Sequence, residues 1–244
     1  MLFSPKPKMN SSMRPCALSR AARISLSGLE LLPDLAGALY VPDFEALLVA
    51  DLHLEKASSL ARRGVHLPPY DTRATLEHLS FSLAAARPRR LILLGDSFHD
   101  DEAHLRIDPS DIAELARLTR GIDVIWLAGN HDPSPPQALG GHFAEEIALG
   151  PITLRHIPSA LADEEFEIAG HLHPAASLAQ RGRALRRKCF IGHERRIVMP
   201  AYGSFTGGLS VSAEPFQAIF PDGRFDVWMI GGKAIHRFPA GRIR

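Results

Sequence analysis

Three short apolar runs recur along the first half of the chain: ALLVA at 46–50, LILLG at 91–95 and VIWLA at 124–128. Each has the length of a buried strand and is rich in strand formers. Between them the apolar period lengthens. The stretch DTRATLEHLSFSLAAA (71–86) places Leu76, Leu79, Phe81 and Leu83 near helical spacing. The stretch DPSDIAELARLTRG (108–121) has Pro109 at a helix start and Gly121 at its stop. Strand, helix, strand, helix, strand is the βαβ alternation, which predicts mostly parallel strands with right-handed crossovers. Beyond residue 150 the pattern changes. PITLRHI, EEFEIAG, RRIVMPAYG, FQAIF and DVWMIGGKAIHRF read as strands joined by Gly- and Pro-bearing turns. The pattern predicts an α/β fold of two packed sheets with helices outside, organised as one domain over residues 24–244.

Composition narrows this picture. At 244 residues and 45% hydrophobic, the chain can build one substantial core. The net charge of +1 gives no global polybasic signature, although a local basic surface is compatible with it. No apolar run approaches the roughly 20 residues of a membrane span. Cys16 and Cys189 stand far apart and outside any metal-ligand spacing, so they read as free thiols in a reducing, cytoplasmic compartment. Residues 1–23 carry Lys6, Lys8, Arg14, Arg20 and Arg23 ahead of the first acid, Glu30. They are expected to form a disordered tail; a transit peptide, or an upstream start before Met9 or Met13, are the other readings.

The chemistry gathers where the strands end. LLVADLH closes on Asp51 and His53, LILLGD on Asp96, IWLAGNHD on Asn130, His131 and Asp132, ITLRH on His156, and EIAGHLH on His171 and His173. Taken singly, Asp51 reads as a helix cap and Asn130 as a turn residue. Five strands that all finish in such groups point instead to one cleft beyond their carboxyl ends. Carboxylate, amide and imidazole donors suit Mn²⁺, Fe²⁺ or Zn²⁺, and the lack of cysteine argues against a structural zinc site. Asp96, alone on the middle strand, is the natural bridge between two cations about 3.5–4 Å apart.

The series DLH, GDSFH, GNHD, a lone His and GHLH resembles the calcineurin-like metallophosphoesterase superfamily, over residues 51–173. The resemblance implies a four-layer α/β/β/α sandwich of two mixed sheets. It implies one metal held by Asp51, His53, Asp96 and His173, and another held by Asp96, Asn130, His156 and His171. His131 would act on the transition state or leaving group, with Asp132 orienting it. General chemistry agrees: two cations activate a water for in-line attack on phosphorus, and a histidine protonates the departing oxygen. His99 follows Asp96 by three residues. It reads as a second acid, a phosphate contact or a solvent-facing loop histidine. Protein Ser/Thr phosphatases of the superfamily carry G-D-x-V-D-R-G at this point, and GDSFHDD lacks that arginine, so that activity is disfavoured.

Longer stretches resemble the ligase-associated DNA damage response endonucleases. These are VADLHLEKASSLARRGVHLPPYDT and the segment from GHLHP through RRKCF to PAYGSFTGG, with Glu55 standing where that branch has glycine. This implies a manganese-dependent phosphodiesterase acting on DNA, associated with an ATP-dependent DNA ligase and a helicase. The basic run containing Arg186, Arg187 and Lys188 follows the GHLH motif and reads either as a backbone-phosphate contact or as a solvated hairpin. Phe190, Tyr202 and Phe205 are candidate stacking partners for a single strand, although Phe in strands is more often core. Other readings that share every ligand are a nucleotide or pyrophosphate hydrolase and a phosphomonoesterase; a non-enzymatic module of the same fold would have lost ligands. A sheet edge in the second half leaves a homodimer open.

Overall fold

The computed structural model describes residues 18–19, 22–133, 139–180 and 183–243. Most of the expected tail, residues 1–17 and 20–21, therefore lies outside the described residues. The first sheet holds β1 (Ile24–Leu26), β2 (Leu29–Pro33), β3 (Leu39–Val41), β4 (Ala46–Val49), β5 (Arg90–Leu93), β6 (Asp123–Leu127) and β7 (His142–Ala144), in that order. β1 to β4 are antiparallel, and β4 to β7 are parallel as the βαβ pattern predicts.

The second sheet is built from β8 (Glu146–Leu149), β9 (Ile152–Arg155), β10 (Phe166–Ala169), β11 (Pro174–Gln180), β12 (Arg183–His193), β13 (Arg196–Val198) and β14 (Leu209–Ser210). Their order is β14-β11-β12-β13-β10-β9-β8. The hairpin of β15 (Asp226–Ile230) and β16 (Ile235–Pro239) adds to β12. β9, β10 and β13 run parallel, so this sheet is mixed too.

Alternation along the strands sorts the side chains into layers. Leu48, Ala50, Ile92 and Leu94 meet Ile152, Leu154, Ile168, Phe190 and Ile197 of the second sheet, in the core between the sheets. Their sequence neighbours Leu47, Val49, Leu91 and Leu93 face outward, onto Leu76, Leu79 and Leu83 of α2 (Asp71–Ala86) and Leu115 of α3 (Pro109–Leu118). α1 (Lys56–Arg62) packs beside α2. On the far side Cys189, Ile191, Val198 and Val227 meet Phe216 and Phe220. Helix, sheet, sheet, helix is the four-layer α/β/β/α sandwich.

One element differs from its sequence pattern. FQAIF, expected as a strand, lies in and just after α4 (Glu214–Ile219). Pro215 in the first turn presets a helix, and Phe216, Ile219 and Phe220 stand at i, i+3 and i+4, so a helix buries them together. No helix among the described residues is long and apolar enough to cross a membrane.

Candidate metal centre

The loops after β4 and β5 run side by side. The amides of Asp51 and His53 donate to the carbonyls of Gly95 and Asp96 at 3.2 and 2.9 Å, and that of Leu54 to Ser97 at 2.9 Å. This lashing holds unusual backbone. Asp51, His53, Asp96, His171 and His173 all lie in the left-handed region, at φ 56°, 46°, 47°, 69° and 46°. Such conformations cost about 1–2 kcal/mol each for a side-chain-bearing residue, and they concentrate where function requires them. Two glycines make the crowding possible. A Cβ on Gly95 would sit 2.5 Å from the His156 ring, and one on Gly129 would sit 2.2 Å from the Asp96 amide.

All seven expected ligands converge. His173 Nε2 is 3.1 Å from Asp51 Oδ1 and 3.3 Å from His53 Nε2. His53 Nε2 is 3.8 Å from Asp96 Oδ2. On the other flank His156 Nε2 is 3.3 Å from Asp96 Oδ2, 3.0 Å from Asn130 Oδ1 and 3.2 Å from His171 Nδ1. Two sets of donor atoms result, Asp51, His53, Asp96 and His173, and Asp96, His156 and His171, each within 4.8 Å of one another. Asp96 belongs to both. Imidazole nitrogens facing each other across hydrogen-bond distance cannot all be protonated donors; a cation between them satisfies the lone pairs. His156 is oriented for this, because its Nδ1 donates to the Leu94 carbonyl at 2.8 Å, which leaves Nε2 for the cleft.

The electrostatics match a site made for positive charge. Burial and the neighbouring His173 hold His53 far below the usual imidazole range, against the pull of Asp96. His156 is disfavoured as a cation by burial, but Asp96, Asp51 and the Leu94 carbonyl outweigh this and raise it to about 8. Asp96 is penalised by burial, yet His156, the His131 amide and His53 hold it below the usual carboxylate range.

Around this core lie the other expected residues. His131 is exposed at the mouth, and its amide donates to Asp96 Oδ1 at 2.9 Å. Its ring stacks on His99 at 5.3 Å between centroids and 14° between planes. His99 Nδ1 in turn lies 3.2 Å from His53 Nδ1. Burial and the charge of Lys56 lower His99 to about 4, so it is neutral near pH 7. His99 is thus a cleft residue and not a solvent-facing one.

Two expectations need correction. Asp132 does not reach His131: it turns inward, where Oδ2 accepts from the Phe98 amide at 2.9 Å, and it steadies the loop after β5. Burial, with a further push from Asp96, raises its carboxyl to about 7. Lys188 is not part of a surface phosphate contact. On β12 it shares a face with Phe190, which is in the core between the sheets, so its ammonium is drawn inward and donates to the carbonyls of Ala201 and Gly203 at 2.8 Å each. The Gly203 amide donates to the Asp51 carbonyl at 3.1 Å, so Lys188 braces the segment that is bonded to Asp51. Arg186 and Arg187 are exposed on the hairpin. Glu55 sits at φ 66°, where glycine would be at ease, and its carboxylate accepts from Ser58 and Thr72 at 2.7 and 2.8 Å.

The calcineurin-like phosphoesterase family profile matches residues 45–189, a span holding every one of these expected ligands. The chain belongs to that family. It is accordingly a metal-dependent phosphoesterase. Among solved structures, the Pseudomonas putida nuclease MPE is similar at 30% identity and a TM-score of 0.66, over 91% of this chain and 97% of that one. Yfce, a phosphoesterase from E. coli, is similar at 13% identity and a TM-score of 0.38, over 79% of this chain and 97% of its own. No curated protein sequence matches the chain.

Proposed function

We propose that the protein is a two-metal phosphodiesterase that cuts DNA internally and serves DNA repair. The observation that carries the reading is Asp96, shared between two donor sets whose histidine nitrogens face one another. Asp51, His53, Asp96 and His173 would hold one cation, and Asp96, Asn130, His156 and His171 the other. Bound there, two divalent cations, Mn²⁺ foremost and Fe²⁺ or Zn²⁺ by the same donor chemistry, supply an activated water and neutralise the phosphoryl oxygens.

The chain's own residues do the rest. His131 stands at the mouth and gives its ring proton to the leaving oxygen as the phosphorus–oxygen bond breaks. His99 stacks against His131, keeps it in place and donates to a phosphate oxygen. Asp132 holds the loop that carries Asp96. Support for DNA as the substrate comes from the likeness to the Pseudomonas putida nuclease and from exposed Arg186 and Arg187 on the hairpin after GHLH. Residues 24–244 act as one cytoplasmic catalytic domain, working with an ATP-dependent DNA ligase and a helicase.

The test is metal-stripped protein resupplied with Mn²⁺ and given closed circular single-stranded DNA. Linearised circles, lost in Asp96→Ala, are expected. Cleavage of a chromogenic diester with intact circles would remove the endonuclease assignment and leave a small-molecule phosphodiesterase.

A further inference from the structure

Three phenylalanine or tyrosine side chains are exposed among the described residues: Tyr70 at 67%, Phe143 at 51% and, less so, Phe205 at 38%. Phe190 and Tyr202, the other sequence candidates for stacking, are buried. Singly exposed aromatic rings are ordinary, so what matters is whether two of them stand on adjoining segments. Phe143 lies on the edge strand β7, whereas the segments that carry Tyr70 and Phe205 are joined to each other.

The joint between the two segments is the hydroxyl of Thr75. It donates to the Asp71 carbonyl at 2.8 Å and accepts from the Ser204 amide at 3.1 Å. Tyr70 immediately precedes Asp71, and Phe205 immediately follows Ser204. The same two segments hold the metal loop. Asp71 Oδ2 accepts from the Ala57 amide at 2.9 Å, and Thr72 Oγ1 from the Glu55 amide at 2.9 Å, just past His53. On the other side the Gly203 amide is bonded to Asp51. The positive charge of Lys56, between them in sequence, bears on both His53 and His99.

We propose that Tyr70 and Phe205 are a base-stacking rim for single-stranded DNA, holding nucleobases that flank the phosphate at the metal centre. The proposal rests on the nuclease reading above and adds what discriminates a polymer from a small diester. An aromatic face accepts any base, so the rim selects unpaired strands without selecting sequence. In a duplex each base face is covered by its stacked neighbours, so duplex DNA gains nothing from the rim.

The experiment compares kcat/KM on oligothymidylate with kcat/KM on a chromogenic diester that has no bases. Wild type is run beside Tyr70→Ala, Phe205→Ala, Tyr70→Phe and Phe205→Trp, all with Mn²⁺. Each alanine variant is expected to lower the ratio of DNA to diester efficiency by about 5- to 150-fold, mainly through KM. The aromatic replacements are expected to keep it within about threefold. If the ratio holds in the alanine variants while wild type cuts DNA, the rim is overturned and the nuclease reading survives. If both substrates fall together, the two residues are structural and the rim is again overturned. If wild type cuts the diester but not oligothymidylate, the nuclease reading and the rim fall together.

Discussion

Two buried clusters of charge differ in what completes them, and only one is closed by the protein's own groups. Next to α4, Glu167 is fully buried and accepts from Arg196 Nε and, at 2.9 Å, from Ser159 Oγ. Arg196 spends its other nitrogens on the carbonyls of Ile219 and Ser159. Both residues lie on ordinary strand backbone, and the protein alone satisfies them. At the metal loops Asp51 and Asp96 are just as buried, but the groups around them are histidines that face one another, three of them on left-handed backbone. A cluster closed by its own partners holds a fold together. A cluster whose donors are assembled at a cost and aimed at each other is built for something that arrives from outside.

This contrast is open to direct attack. Asp96→Ala should abolish phosphodiester cleavage, by about a thousandfold or more, while changing the stability of the metal-free protein by no more than about 1–2 kcal/mol. Glu167→Ala should do the reverse. Removing one partner strands the Arg196 charge and costs about 3–5 kcal/mol in urea unfolding, yet the folded fraction should keep its kcat.

His131→Ala sharpens the distinction within the site. It should slow DNA cleavage by about a hundredfold or more, yet barely affect a nitrophenyl diester, whose leaving group departs without a proton. The smallest effect concerns Lys188, whose ammonium burial lowers to about 8 from an ordinary 10.5. The folded state then sheds this proton more readily than the unfolded one. Wild type should therefore gain stability relative to Lys188→Met as pH rises from about 8 to 10, by on the order of 1–2 kcal/mol. Urea midpoints at pH values of about 7.5 and 9.5, on either side of that rise, check the sign.

Much of this was readable in advance. The strands ending at Val49, Leu93 and Leu127 are continuous apolar runs because both their faces are covered. Their ends expose the ligands directly in the sequence. Spacing, however, does not say which way an acid turns. Asp132 follows His131, yet the backbone aims it at the Phe98 amide. The basic run around Lys188 hid an alternation: two residues before Phe190 on a strand means the same face, and that face is the core between the sheets. α4 was obscured because a five-residue, mostly apolar stretch is too short to separate a strand from a helix, although Pro215 was there to be weighed. The strands before Ala46 were missed because they are short and belong to antiparallel turns outside the βαβ rhythm.

The central claim is that one end of this molecule is a pair of metal sites sharing Asp96. Calorimetric titration of metal-stripped protein with Mn²⁺ tests it most directly. Two equivalents per chain are expected for wild type, with both sites weakened in Asp96→Ala. No binding, or two equivalents undisturbed by Asp96→Ala, would contradict it.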